Sequence, residues 1–286
     1  MRRNHQGRKA LQSQGVAGRN EVLATREVNK TGCSALIFLL VVGATGAVAS
    51  AGIDQQDARP DNLVLGVPCS NGVQVVNRRG YALGFSPKHK QPLWVAYRLT
   101  AAEVTNAVVR RADQFAFDPQ IVGGSATLED YRGSGYDRGH LAPAADMKWD
   151  AQAMQESFLL SNISPQVNSF NGGIWKKLED WCRGLAVRRG CLWVVTGPVF
   201  PEDENHETIG RSKVTVPKFF YKVVYDEREG RMIGFIMPNK ANKNIYKFAL
   251  TVDEVEEATG LDFFSALPSD VQAKLEAECD MRKWNR

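Results

Sequence analysis

Residues 136–147 read YDRGHLAPAADM, and residues 160–171 read LSNISPQVNSFN. Of the four histidines in the chain, only His140 lies in this stretch, and Arg138 precedes it by two positions. A neutral histidine is the side chain best suited to act as a general base near neutral pH. An arginine beside it can neutralise the negative charge of a phosphate. The stretch therefore predicts a catalytic segment, although a D-x-G-H sequence taken alone is more often only a turn.

Asn171 and Glu179 offer further oxygen atoms to the same region. Such oxygens bind hard cations such as Mg²⁺, directly or through the waters that this ion retains. Apolar residues recur with helical spacing across residues 173–183, and on one helix Asn171 and Glu179 would face the same side. A base, a cation site and an arginine are the groups needed for metal-assisted hydrolysis of a phosphodiester. The structural alternatives are a helix cap for Asn171 and a solvated side chain for Glu179.

The rest of the chain predicts short strands and a few helices. Strand-like runs lie at residues 72–76, 81–85, 93–99, 191–200, 219–226 and 231–237, and helical patterns lie at residues 151–158, 173–183 and 252–259. Thr251 and Glu254 form a capping box for the last of these helices. Residues 112–136, rich in Gly, Asp and Ser, predict a loop. Because the elements do not alternate as β-α-β units, the sequence predicts one α+β domain with a mainly antiparallel sheet.

The first 63 residues are organised differently. Residues 1–33 form a tail with seven basic and two acidic side chains, and the twenty residues 34–53 carry no charge. That length is about what spans a bilayer as a helix, and the small residues near residue 51 fit a signal-peptide cleavage site. We therefore expect a signal peptide or membrane anchor at 34–53, a linker at 54–63 and a domain at 64–286. Secreted, periplasmic or membrane-anchored export is the main expectation, and a mitochondrial presequence is the alternative.

Four cysteines follow the apolar segment, namely Cys69, Cys182, Cys191 and Cys279. Disulfides form in exported proteins and are rare in reducing compartments. Export therefore predicts one or two disulfides. The short separation of Cys182 and Cys191 favours that pair, with Cys69–Cys279 as the other.

The net charge of +4 is weak evidence for a polyanionic partner. The excess of basic residues lies largely in the tail, whereas residues 251–286 carry nine acidic and four basic side chains. With 43% hydrophobic and 24% charged residues, the composition is that of a globular protein and excludes disorder or a polytopic membrane protein. Evidence for a nucleic-acid partner must therefore come from the site residues.

The order and spacing of these motifs resemble the DNA/RNA non-specific endonuclease family, which includes secreted bacterial nucleases and endonuclease G. Its members have a ββα-metal (His-Me finger) active site. The resemblance rests on residues 136–147, 160–166, 171, 175 and 178–180, and it extends to residues 196–199 (TGPV) and 257–264 (EATGLDFF). Where the family often has a Gln after the Asn, this chain reads Asn171-Gly172-Gly173. That departure leaves the metal ligand intact and affects the start of the helix.

The resemblance implies a role for each matching residue. His140 corresponds to the general base that deprotonates the attacking water. Asn171 corresponds to the only direct protein ligand of the Mg²⁺, and Glu179 to the acid that holds the waters of the ion. A further family arginine lies upstream and corresponds to Arg110 or Arg111.

The same resemblance implies how the substrate is held. Arg138 and Arg183 correspond to clamps on the phosphate and on the transition state. Two further residues, Asn162 and Gln166, correspond to positions that support the site or the leaving-group side. We expect Asn162 to be a catalytic residue and Gln166 to be a substrate-binding residue. Lys176 is a further candidate for binding the phosphate backbone.

The activity implied is that of an Mg²⁺-dependent endonuclease, with Mn²⁺ as a substitute, that cleaves DNA and RNA irrespective of sequence and leaves 5′-phosphates. Its partners would be DNA and RNA, with a possible homodimer, and a membrane only through residues 34–53 if these are not cleaved. Two alternatives are a nucleic-acid-binding protein on the same fold that does not cut, and a phosphodiesterase acting on another exported polyanion. The retained set of His140, Asn171 and Glu179 favours the nuclease.

Overall fold

The computed structural model describes residues 61–69, 71–201 and 205–284, and the chain from Asn62 onward forms one compact unit. The strands are β1 (Gln74–Asn77), β2 (Ala82–Ser86), β3 (Gln91–Thr100), β4 (Asp137–His140), β5 (Ile163–Gln166), β6 (Cys191–Val199), β7 (Thr208–Ile209), β8 (Val214–Thr215), β9 (Phe219–Asp226), β10 (Arg231–Pro238) and β11 (Ala249–Leu250). The helices are α1 (Ala101–Thr105), α2 (Leu128–Tyr131), α3 (Ala151–Ser157), α4 (Lys176–Arg189), α5 (Val252–Thr259) and α6 (Ser269–Glu276). One antiparallel sheet has the order β1-β2-β3-β6-β9-β10-β11, while β4 pairs with β5 and β7 with β8.

Both faces of the seven-stranded sheet are buried, because successive side chains on a strand point to opposite faces and both sets are apolar here. Tyr97 of β3 packs with Leu178 of α4 on the first face. Trp94 of the same strand packs with Val255 of α5 and Leu275 of α6 on the second face. The sheet is therefore the middle of three layers, and the predicted α+β class with a mainly antiparallel, helix-flanked sheet is confirmed.

Local sequence signals account for most element boundaries. The predicted strands and α5 are confirmed to within a few residues. Thr251 Oγ1 accepts a hydrogen bond from Glu254 N at 3.1 Å, and the Glu254 carboxylate accepts one from Thr251 N at 2.8 Å. The predicted loop at 112–136 contains one short helix, α2, because Thr127 and Asp130 form another capping box.

A ββα unit lies on the first face of the sheet. In the pairing of β4 with β5, Arg138 lies opposite Pro165 and His140 lies opposite Ile163. The chain then passes through a π-helical turn, Phe170–Trp175, into α4. Apolar side chains of this turn and of α4 belong to the same core as the sheet face below them, so the unit is fixed on the sheet.

Asn171 and Glu179 do not lie on one helix, contrary to the expectation from their spacing. The helix α4 begins only at Lys176, and Gly173 has a non-helical backbone with φ −104° and ψ −109°. Glycine tolerates such backbone angles more readily than other residues. The turn that carries Asn171 is therefore kinked relative to the helix that carries Glu179, and the departure at Gly172-Gly173 does affect the start of the helix.

Neither predicted disulfide is present. Cys182, needed for the pair with Cys191, is a buried free thiol on the core side of α4. Burial raises the pKa of the Cys182 thiol to about 12, which keeps it protonated. Cys69, needed for the pair with Cys279, is also a free thiol, and its Sγ donates to the carbonyl of Asn71 at 3.7 Å. The pairing was wrong because sequence proximity does not show which face of a helix a cysteine occupies.

The basic tail at 1–33 and the signal peptide or anchor at 34–53 lie outside the described residues. Within the part of the chain that the structure describes, no helix is long and apolar enough to cross a membrane. The domain boundaries drawn from the sequence stay predictions.

Candidate active site

His140 ends β4, and its ring packs against two phenylalanines. Its centroid lies 4.8 Å from that of Phe158, edge to face, and 5.4 Å from that of Phe115. Its Nε2 is buried and has no hydrogen-bond partner among the described residues. Burial first and the Arg111 guanidinium second lower the pKa of His140 to about 3, against the opposing charge of Asp113. The imidazole is therefore neutral at physiological pH, which is the form that accepts a proton.

Asn162 holds the chain around the histidine. Its Oδ1 accepts from Ala142 N at 2.9 Å, and its Nδ2 donates to the carbonyls of Ala142 at 3.0 Å and Ser157 at 2.9 Å. Ala142 follows His140 by two residues, and Ser157 immediately precedes Phe158. Asn162 thus fixes the end of β4 relative to the ring that packs on the histidine. It is fully buried, which places it in a supporting position and not at the cleft surface.

Gln166 lies behind the catalytic strand. A Cβ added at Gly139 would lie 2.2 Å from its Oε1, so only glycine fits between Arg138 and His140. Gln166 is fully buried, and neither Oε1 nor Nε2 has a hydrogen-bond partner in the described part of the chain. Gln166 therefore lies buried beneath the strand, and its assignment as a substrate-binding residue stays a prediction.

Asp137 fixes the amide of Asn171. The Nδ2 of Asn171 donates to Asp137 Oδ2 at 2.9 Å, and the Nδ2 of Asn168 donates to the same oxygen at 3.1 Å. Because an ionised carboxylate only accepts hydrogen bonds, the nitrogen end of the Asn171 amide must face Asp137. The carbonyl oxygen Oδ1 therefore faces away from Asp137, where it is available to bind a cation.

A cleft of about 500 Å³ opens beside these residues. Its lining consists of Phe115, Leu128, Tyr131, Arg132, Tyr136, Asp137, Arg138 and Asn171. The guanidinium carbon of Arg138 lies 4.4 Å from the ring centroid of Phe115, which also contacts His140. The base and the cleft thus share one aromatic wall. Exposed arginines beside aromatic rings suit a phosphate backbone with stackable bases.

Glu179 lies in the first turn of α4, near a buried charge cluster that includes Asp146 and Lys222. Lys222 of β9 is fully buried, and its Nζ lies 4.7 Å from the ring centroid of Trp175 with no hydrogen-bond partner among the described residues. Burial raises the pKa of Glu179 to about 7, while the charge of Lys222 opposes that rise. Burial also lowers the pKa of Lys222. Because Trp175 directly precedes α4, Lys222 lies under the junction between the Asn171 turn and the Glu179 helix.

Two basic residues of α4 are held by carboxylates. Arg183 Nη1 donates to Asp146 Oδ1 at 2.6 Å, and its Nη2 donates to Asp180. Lys176, exposed near the start of the helix, donates to Asp180 Oδ2 at 2.6 Å. A phosphate would have to compete with these carboxylates for Arg183, whose side chain is only 16% exposed. Arg183 is therefore held by two carboxylates, whereas Arg138 is one of two arginines that line the cleft. The role of Arg183 as a phosphate clamp stays a prediction.

The residues present fit a hard divalent cation. The Asn171 oxygen and the Glu179 carboxylate are the neutral and anionic oxygen donors that Mg²⁺ and Mn²⁺ prefer. The hydrogen bond from Asn171 to Asp137 supplies the outer support that metal-binding side chains usually have. A second acidic group, on α5 and α6, belongs to the opposite face of the sheet and is not part of this site.

Several residues of the site had no role in the sequence analysis. Asp137 lies in the D-x-G-H sequence, but its role was missed because its partner Asn171 lies 34 positions along the chain. Phe115 gave no signal, because its partner His140 is also distant in sequence. Lys222 did give a signal in the sequence. It is a lysine in the apolar strand FFYKVVYD, on the same strand face as Phe220 and Val224, which lie two positions away on either side in the core.

Comparisons with known proteins identify the family of the chain. A model of the DNA/RNA non-specific endonuclease family matches residues 59–270. "Nuclease 1, mitochondrial" of Schizosaccharomyces pombe is 36% identical over 74% of this chain and 72% of that protein. "Endonuclease G, mitochondrial" of Homo sapiens is 35% identical over 66% of this chain and 69% of that protein. A crystal structure of the EndoG/EndoGI complex matches with a TM-score of 0.69 and 32% identity, over 74% of this chain and 95% of that one.

The fold and the matches together define a class. The β4-β5-α4 unit is the ββα-metal arrangement, and the chain is a hydrolase of the metal-dependent nuclease class. More narrowly, it belongs to the DNA/RNA non-specific endonuclease family. The resemblance of the motifs to that family is confirmed.

Proposed function

We propose that this nuclease is an Mg²⁺-dependent endonuclease that hydrolyses DNA and RNA without sequence preference and leaves 5′-phosphates. One arrangement carries the proposal: Phe115 packs on the neutral His140 and also lines the cleft. Arg138 and the Asn171 amide, which Asp137 orients, line the same cleft. Those are the base, the metal ligand and the cationic contact that phosphodiester hydrolysis needs.

His140 would take the proton from the attacking water. Its lowered pKa keeps it neutral in the free enzyme, and the negative charge of an arriving phosphodiester would raise that pKa toward the range of an effective base. The rings of Phe115 and Phe158 limit the orientations of the imidazole. Arg138 would neutralise the phosphate charge from the cleft wall.

Asn171 and Glu179 would hold the cation, whose positive charge stabilises the negative charge that develops on the phosphate and the leaving oxygen. Asn171 would bind through Oδ1, and Glu179 would accept hydrogen bonds from waters of the ion. Asp137 holds Asn171 in place, and Arg183 braces the helix of Glu179 through Asp146. The homodimer expected from the resemblance stays a prediction.

We infer a mitochondrial location for the chain. The relatives from Schizosaccharomyces pombe and Homo sapiens are named mitochondrial nucleases. The tail at residues 1–33 is rich in arginine, as presequences are. The main expectation of export gains no support from these relatives, and the disulfides it predicted are absent.

The activity is tested with the full-length chain, supercoiled plasmid and structured RNA. We expect both substrates to be degraded in Mg²⁺ and neither in EDTA. Fragments should accept a 5′ label from a kinase only after phosphatase treatment, since each would carry a 5′-phosphate. Intact nucleic acid from folded protein in both Mg²⁺ and Mn²⁺ would contradict the proposal, and cleavage of only one substrate would contradict the lack of sugar preference.

Replacing Asp137 with alanine should lower the cleavage rate by about 10–100-fold, because loss of an outer partner of a metal ligand typically has that effect. The Mg²⁺ concentration for half-maximal activity should rise, since the Asn171 amide would no longer be oriented. The measurement is a metal titration of initial rates. Asp137→Asn keeps an accepting oxygen and should lose less; equal losses in the two variants would show that orientation of Asn171 is not the cause.

A further inference from the structure

A second group of carboxylates lies far from the cleft, on the sheet face covered by α5 and α6. Asp253 and Glu256 belong to α5, and Glu276 is the last residue of α6. One oxygen from each of the three lies within 4.8 Å of the other two. The apolar residues Val255 and Leu275 of the same helices belong to the core of the second face, so the two helices hold the carboxylates in place.

One member of the group, Glu276, has a buried carboxylate oxygen without a hydrogen-bond partner among the described residues. The residue is 6% exposed, and the oxygen without a partner is Oε1. A buried carboxylate without a partner is strongly disfavoured, and the negative end of the α6 dipole at this position adds to the penalty. The charges that act on Glu276 are further carboxylates, Asp253 and Asp262. Among the described residues, no positive charge acts on Glu276 to offset the burial of its carboxylate.

Glu256 leaves an oxygen available to the same point. Its Oε1 accepts from Phe263 N at 2.7 Å, which fixes the carboxylate and leaves Oε2 free to bind. Asp253 is exposed, so waters can reach the group from that side. The surrounding segment, residues 251–286, carries nine acidic and four basic side chains.

We propose that Asp253, Glu256 and Glu276 form a Ca²⁺ site separate from the nuclease site. Ca²⁺ binds oxygens at 2.3–2.6 Å, so two oxygens on opposite sides of one ion lie up to about 5 Å apart. The observed spread of at most 4.8 Å falls within that limit. Mg²⁺ is usually bound through only one or two carboxylates, so a group of three favours Ca²⁺. The ion would join α5 to α6 and hold the C-terminal helix on the sheet.

The test uses the full-length chain with Asn171→Ala, which removes the direct metal ligand of the nuclease site. After removal of metals with EDTA, CaCl₂ is added and both the binding heat and the melting temperature are recorded. We expect one binding event and a rise in melting temperature of about 5 °C at 100 times the Kd. Glu276→Gln in the same background should abolish both responses. Glu257→Gln, an exposed position on the same helix outside the group, should leave both unchanged.

Two results would overturn the proposal. One is an equal Ca²⁺ response with and without Glu276→Gln. The other is the absence of any Ca²⁺ response in the Asn171→Ala chain. If the melting temperature of that chain then rises as the pH is lowered from 8 to 6, a shared proton neutralises the group in place of a metal. Should Glu276→Gln fail to fold, Asp253→Asn at the exposed position provides the same test. Neither result depends on nuclease activity.

Discussion

Replacing His140 with alanine should reduce the rate of cleavage of both DNA and RNA by about 10²–10⁴-fold, the usual contribution of a general base. The loss should be equal for the two substrates, because proton removal from water does not depend on the sugar. Substrate binding should change little, since Arg138 and the other residues that line the cleft remain. Initial rates on plasmid and RNA at saturating Mg²⁺ check this expectation, and unchanged rates would remove His140 from the mechanism.

Two controls separate catalysis from folding in this variant. His206→Ala replaces a histidine whose ring contacts lie with His89 and Phe200, so it should leave the rate unchanged. The second control is the pH dependence of the free energy of unfolding. The pKa of His140 is lowered to about 3 in the folded protein but lies near 6.5 when unfolded, so wild type loses stability as pH falls below 6.5. His140→Ala lacks this loss, and its free energy of unfolding should fall less between pH 8 and pH 5.

Elements encoded by neighbouring residues could be predicted from the sequence. The capping box of Thr251 and Glu254 and the strand-like runs at 219–226 and 231–237 are set by residues within a few positions, and both appear as expected. The 136–147 motif likewise forms β4 and the following turn. The β4-β5 pairing was implied by the resemblance and not by periodicity, because each strand is only four residues long.

Contacts between distant residues decided the rest of the site. Asp146 engages Arg183 from 37 positions away, and nothing in the local sequence shows that this arginine is already paired. The kink at Gly173 separates Asn171 from the helix of Glu179, although helical spacing alone places both on one face. The disulfide prediction failed because it followed from an expected compartment and from proximity in sequence, and neither shows how the cysteines pack.

Replacing Asn171 with alanine should have the second largest effect, a loss of about 10³-fold in the cleavage rate. Metal stabilisation of a phosphoryl transition state is worth several kcal/mol, and about 4 kcal/mol corresponds to 10³-fold. The main chain of the Phe170–Trp175 turn should persist, because Phe170 and Trp175 anchor it in the core. The measurement is the initial rate across a wide range of Mg²⁺ concentrations.

The matched control for this variant is Asn168→Ala. Asn168 lies three residues before Asn171 and donates to the same Asp137 oxygen. Its removal therefore disturbs the same carboxylate without removing the proposed ligand. It should lose little activity. Raising the Mg²⁺ concentration should restore part of the rate of Asp137→Ala, in which the ligand remains but is poorly oriented, and little of the rate of Asn171→Ala, in which it is absent. Full rescue of Asn171→Ala by metal would show that another side chain binds the ion.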